Sequence, residues 1–162
     1  MAGSVYQINM KPKTPGARGL PKKPVDSALV TKQGVDGDFN VYRHEELNDD
    51  PDSALLLMPL ETLKQLNSEG WPIRPGDIGE NVTIRGIAYN TFAPGRSFAI
   101  GGVEVQVSRA CDPCDNLFLL PYVGREKGPK FLKVMLGRRG WYARVTKEGR
   151  IRKGDEVKEL LG

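Results

Sequence analysis

With 162 residues, the chain is long enough for one domain with a buried core. Hydrophobic residues make up 39% and charged residues 27%, and no apolar run approaches the roughly 18 residues of a membrane span. The opening MAGSVYQINMKPK lacks an apolar secretory stretch, so spanning and export are disfavoured and a cytoplasmic location is expected. A net charge of +4 favours an anionic partner only mildly.

Nineteen glycines and twelve prolines leave little room for long helices, so many short strands are expected. Ser4 to Met10 predicts a first strand that stops at Lys11-Pro12. Lys13 to Pro24 is a loop by its Pro, Gly and Lys content, and Val25 to Thr31 resumes an extended, β-branched pattern before a tight turn at Gly34 to Asp38. Ser53 to Met58 is a short apolar run suited to a buried strand. Pro59 then opens a predicted helix that lines up Leu60, Leu63 and Leu66 and ends at Glu69, with Gly70 just past its end. After Trp71-Pro72, strands are predicted at Asn81 to Ile84, Ser97 to Ile100 and Val103 to Val107, the last two joined by Gly101-Gly102 as a hairpin. Val103, Val105 and Val107 alternate with Glu104 and Gln106, one face to a core and one to water. A short helix is predicted over Phe131 to Leu136, and a second hairpin joins Trp141 to Val145 with Arg150 to Arg152 through Lys147-Glu148-Gly149. The fold class expected is mainly β, a sandwich or barrel with one or two short helices.

Charge is unevenly placed. Lys11, Lys13, Arg18, Lys22 and Lys23 form a basic stretch, Arg138, Arg139, Arg144, Arg150, Arg152 and Lys153 make the last quarter basic, and Glu45, Glu46, Asp49, Asp50 and Asp52 are the acidic counterweight. Two cysteines make no disulfide framework, so Cys111 and Cys114 are expected to be reduced thiols or a local pair. A zinc site lacks a second cysteine pair, and His44 is the only histidine. A thioredoxin-like pair lacks its βαβ context. A single-thiol role needs only one sulfur near cations such as Arg109 or Arg139, and two small thiols packed under a loop is the plain structural alternative. Gly76-Asp77-Ile78-Gly79-Glu80-Asn81-Val82-Thr83 is a glycine-built turn with polar side chains at a strand start, and it has no P-loop ending.

Six pieces in this order resemble the MOSC domain, the C-terminal module of molybdenum-cofactor sulfurases: Gly37-Asp38; Leu-Leu-Leu-Met-Pro-Leu-Glu at 55–61; Pro-Gly-Asp-Ile-Gly-Glu-Asn-Val-Thr at 75–83; Val-Ser-Arg-Ala-Cys-Asp-Pro-Cys-Asp-Asn-Leu at 107–117; Gly-Arg-Arg-Gly-Trp-Tyr-Ala-Arg-Val at 137–145; and Gly-Arg-Ile-Arg-Lys-Gly-Asp at 149–155. The resemblance runs from about Val25 to Val157, is nearest to the short stand-alone bacterial members, and makes the whole chain one MOSC domain. It implies a closed β-barrel and the pyranopterin molybdenum cofactor, absent or substoichiometric as purified. It also implies that Cys114, the cysteine of Pro-Cys, ligates molybdenum or carries a persulfide. Cys111 stands where relatives often have a basic residue, so support for a Cys114 thiolate falls to Arg109, Arg138, Arg139 or Arg144. These arginines are also the expected cofactor-phosphate ligands, with Glu80, Asn81 and Thr83 as hydrogen-bonding residues toward the pterin. Because Pro113 removes a backbone donor, cations are expected to lower the Cys114 pKa below its free value of about 8.5. The family includes reductases of N-hydroxylated compounds, which here would take electrons from an external protein. Pyridoxal phosphate is expected only in a partner cysteine desulfurase or sulfurase.

Two other functions fit the same residues. A small basic barrel would bind nucleic acid through Lys11 to Lys23 and the C-terminal arginines, stacking bases on Tyr42, Tyr122, Trp141 and Tyr142; the modest charge disfavours it. A non-catalytic cofactor or sulfur carrier would keep the barrel and lack turnover.

Overall fold

The computed structural model describes residues 2–16 and 19–161, so Arg18 of the basic stretch lies outside the described residues. Its strands are β1 (Ala2–Met10), β2 (Lys23–Val25), β3 (Ser27–Thr31), β4 (Gly34–Val35), β5 (Leu55–Pro59), β6 (Val82–Arg85), β7 (Ser97–Ile100), β8 (Val103–Ala110), β9 (Trp141–Lys147), β10 (Gly149–Arg152) and β11 (Glu156–Leu160). Three α-helices accompany them, α1 (Val41–Glu46), α2 (Leu60–Ser68) and α3 (Gly124–Met135). The strands run β11-β7-β8-β9-β5-β6-β1, and β1 pairs back with β11 through Ala2 to Ser4. The result is a closed seven-stranded β-barrel, which leaves no free edge along that circuit. Strand β2 adds to β1 outside the circuit, and β10, β3 and β4 form a separate three-stranded sheet. No helix among the described residues is long and apolar enough to cross a membrane.

Side-chain alternation explains the layering. In β8, Val103, Val105 and Val107 are 1% exposed or less, whereas Glu104 and Gln106 are only half-buried. In β5 every residue is buried, because its two faces meet different cores. Leu55 and Leu57 point into the barrel with Val82, Phe98 and Val145, while Met58 joins a second core on the outside with Leu63, Leu66, Phe131 and Met135. Leu56, on that outer face, packs with Cys111 and Tyr142. The only parallel pair is β5 with β6 among the described residues, and α2 is its crossover.

Most predicted elements fall within a residue or two of those observed, with informative exceptions. Pro59 is the N-cap of α2 and still belongs to β5, so the helix begins one residue later than expected. Helix α3 is twelve residues long rather than the six over Phe131 to Leu136, since it starts at Gly124 and runs on through Gly128 and Pro129. Gly128 instead faces the Phe118 ring, and Pro129 sits inside the helix. Helix α1 carries no apolar period; it is held by the Asn40 side chain accepting from the Arg43 N–H at 2.9 Å. The predicted hairpin between 141–145 and 150–152 does not form. Both edges of β9 are occupied by β8 and β5, so β10 turns away and pairs with β3.

Candidate functional site

Where β8 ends and β9 begins, the barrel opens into a cleft lined by Leu20, Lys22, Tyr42, Gly79, Cys111, Cys114, Asn116, Arg139 and Tyr142, among others. The chain reaches this place because Cys111 N–H donates to the Gly140 carbonyl at 2.9 Å, continuing the β8–β9 ladder one step past Ala110. Gly140 is required there: its φ is +106°, and a Cβ would lie 2.8 Å from the Leu57 carbonyl. Cys114 then caps a 3-10 turn over Asp115–Leu119, with its carbonyl accepting from Leu117 N–H at 3.1 Å.

Both cysteines are free thiols, but they differ in access. Cys111 is 6% exposed, packed on Leu56 and Tyr142, and Cys114 is only partly buried. The expectation of a lowered Cys114 pKa is corrected. Burial pushes its thiol above the ordinary value, and the Asn116 backbone N–H and the Arg139 charge offset that without reversing it. Nor does the help come from Arg109, Arg138 or Arg144. Arg109 lies over the Tyr142 ring, 5.1 Å from its centroid, and pairs with Asp50. Arg138 forks onto Glu69, at 2.6 and 2.9 Å, and Arg144 pairs with Asp52.

Two cations line the cleft, Lys22, which is paired with Asp38, and Arg139. Arg139 is 6% exposed, and its Nε and Nη1 have no hydrogen-bond partner. Burial works against its charge, but Cys111, Tyr142, Cys114 and Glu80 outweigh burial and leave the guanidinium more firmly protonated than usual. A buried arginine with two unmatched donors is costly unless something anionic meets it.

The polar motif before β6 is mostly spent on structure. Asn81 accepts from Leu56 N–H at 3.0 Å and donates to Asp38 Oδ2 at 2.9 Å. Thr83 donates to Glu80 Oε2 at 2.9 Å and accepts from Asn9. Glu80 is fully buried with an unmatched Oε1, and desolvation raises its pKa to about 7 against hydrogen bonds from Gly76 and Thr83. None of these three side chains lines the cleft; Gly79 does, at φ +85° with Leu20 closing over it. Lys22 was counted in the sequence only as part of a basic stretch, yet it is buried and bonded to Asp38 Oδ2 at 2.5 Å. Burial lowers its pKa, and Asp38 opposes the shift. Gly37-Asp38 and Gly-Glu-Asn thus meet through Asp38, which joins Lys22, Asn81 and the Lys11 backbone N–H.

The aromatic rings of the nucleic-acid alternative do not form an exposed platform. Tyr142 is 4% exposed, and Trp141 packs on Tyr89 and donates to its carbonyl. His44 is an exposed residue paired with Asp49 at 3.0 Å. Among the described residues, no three His, Cys, Asp or Glu side chains gather to hold a metal ion.

The cleft on this seven-stranded barrel thus combines two free thiols with a buried arginine whose Nε and Nη1 are unmatched. The chain belongs to the MOSC domain family, whose model matches residues 43–158, and that family is associated with the molybdenum cofactor. An uncharacterized protein of Bacillus subtilis, YflK, is 30% identical over 152 residues, covering 88% of this chain and 63% of the relative's own length. The chain therefore spans less than two thirds of that relative. Among solved structures, YiiM of Geobacillus stearothermophilus is similar at 28% identity and a TM-score of 0.73, covering 98% of this chain and 75% of that one. The Bacillus subtilis YuaD protein shares the fold at 18% identity, with a TM-score of 0.80 and coverage of 98% and 96%.

Proposed function

We propose that this chain binds the molybdenum cofactor in the Cys111–Arg139 cleft and that the Cys114 sulfur faces the metal, as thiolate ligand or bearing a persulfide. The observation that carries the reading is the pair of buried, unmatched Arg139 donors beside a partly accessible thiol. The residues fit the group. A molybdenum atom that arrives held by its pterin needs one soft protein ligand, and Cys114 offers one where no multi-residue metal cage is gathered among the described residues. When bound, the cofactor supplies a metal centre able to exchange electrons and oxygen or sulfur atoms with a substrate.

The chain's own part is positioning. Arg139 presents a planar pair of N–H groups to an anionic portion of the ligand. Leu56, Tyr142 and Leu20 keep water from the sulfur side, and the charge of Arg139 favours Cys114 as thiolate although burial opposes it. Arg109, Arg138 and Arg144 serve the ligand only by releasing Asp50, Glu69 and Asp52, and Glu80, Asn81 and Thr83 act through the backbone they hold at Gly79. Sulfur for Cys114 comes from a separate cysteine desulfurase or sulfurase bearing pyridoxal phosphate. Reduction of N-hydroxylated compounds would draw on an external electron-transfer protein.

The test is molybdenum analysis with pterin fluorescence on protein made in a host that synthesises the cofactor. Wild type carries both signals, Cys114→Ser loses molybdenum while staying folded, and Arg139→Gln loses both. Wild-type protein without either signal, or equal loading in all three, overturns the reading.

A further inference from the structure

We propose that Cys111 is a resolving thiol: when Cys114 bears a sulfane sulfur, Cys111 displaces it as hydrosulfide and closes a Cys111–Cys114 disulfide. The site would then release sulfide as well as hold sulfur. The proposal rests on the reading of Cys114 as the sulfur-bearing residue and assigns the second thiol, which that reading leaves idle.

Three observations support it. Both thiols are free and line one cleft, three residues apart around Pro113. Their access is graded, because a donor molecule reaches partly exposed Cys114 while Cys111, 6% exposed, is shielded behind Leu56 and Tyr142. Sulfur therefore loads on one residue and is attacked from the other. Arg139, nine-tenths buried with two unmatched donors, lines the same cleft as both sulfurs and offers its charge and N–H groups to the leaving hydrosulfide.

The step balances within the site. Cys111 Sγ attacks Cys114 Sγ, the Sγ–Sγ bond forms, and the bond from Cys114 Sγ to the outer sulfur breaks. The outer sulfur leaves with the electron pair and takes up the Cys111 proton as hydrogen sulfide. It is reduced by two electrons, and the two cysteine sulfurs are oxidised to the disulfide. A dithiol reductant resets the pair by exchange.

Inorganic polysulfide is the probe. After a short treatment and removal of excess reagent, intact-mass spectrometry and a sulfide assay follow wild type, Cys111→Ser, Cys111→Ala and Cys114→Ser, each checked for folding by circular dichroism. Wild type is expected to release sulfide without added reductant and to end two hydrogens lighter than the dithiol form. The two Cys111 variants keep the extra sulfur about tenfold longer or more and release it only with dithiothreitol. Cys114→Ser does not load. A persulfide as long-lived in wild type as in the Cys111 variants overturns the resolving role and leaves the reading of Cys114 intact. Loading that survives Cys114→Ser overturns that reading itself.

Discussion

Glu80 sets burial against charge with no cation in direct hydrogen-bond contact: it is fully buried, one oxygen accepts from Thr83, the other is unmatched, and its pKa is raised to about 7. A carboxyl with a raised folded-state pKa holds its proton in the native chain after the unfolded chain has lost it. Stability therefore falls as pH rises from about 4.5 to about 7, by up to about 3 kcal/mol, and this contribution is flat above that window. Glu80→Gln removes the slope. In urea titrations at about pH 5 and about pH 8, the variant should gain on wild type at the higher pH, and a pH-independent difference would contradict the assignment. Arg139 has the opposite role, since its charge lowers a Cys114 pKa that burial raises. Arg139→Gln should move the pH midpoint of Cys114 alkylation upward, and a midpoint that stays put or falls would remove Arg139 from the thiol's environment. At this scale the sequence showed Cys114 and Arg139 through their motifs. Lys22 and Asn116 were not legible as cleft residues because they lie outside periodic elements, and which lysine of a basic stretch turns inward depends on where Asp38 lies; Tyr42, on the short helix α1, reads from the sequence only as a base-stacking ring.

Elements show the same division between local and tertiary information. The β7–β8 hairpin was legible because Gly101-Gly102 and the Val alternation are local, and α2 because its leucine stripe and Gly70 are. The pairing of β10 was not, since nothing in 141–152 records that β8 and β5 already flank β9. The turn at Gly140 joins fold to site, as its left-handed backbone lets β9 start against Leu57 while its carbonyl fixes Cys111. Gly140→Ala meets both positive φ and a crowded carbonyl, so it should cost about 1 to 3 kcal/mol and disturb the cysteine segment. Chemical denaturation checks the first effect and thiol alkylation rates the second; a neutral variant would contradict both. Leu66→Ala, in the helical core that backs β5, should cost about 2 to 5 kcal/mol by the same measurement, with thiol reactivity unchanged.

For the whole molecule, two cores share one wall. Strand β5 sends Leu55 and Leu57 into the barrel and Met58 into the helical layer, and Leu56 reaches the cleft between. That arrangement explains why a thiol site lies at a strand end on the barrel, with Leu20 from the segment before β2, Tyr42 from α1 and Asn116 from the 3-10 turn around it. The mainly β class followed from glycine, proline and strand patterns, whereas closure follows from the β1–β11 pairing, which joins the chain's two ends and has no local signature. The proposed function rests on the cleft and not on the barrel, and at its centre is the proposal that the Cys114 sulfur meets molybdenum. Molybdenum K-edge X-ray absorption on cofactor-loaded wild type and Cys114→Ser tests it most directly. The account predicts one sulfur neighbour fewer at the metal in the variant, or no bound metal at all, and an unchanged sulfur shell at equal loading would contradict it.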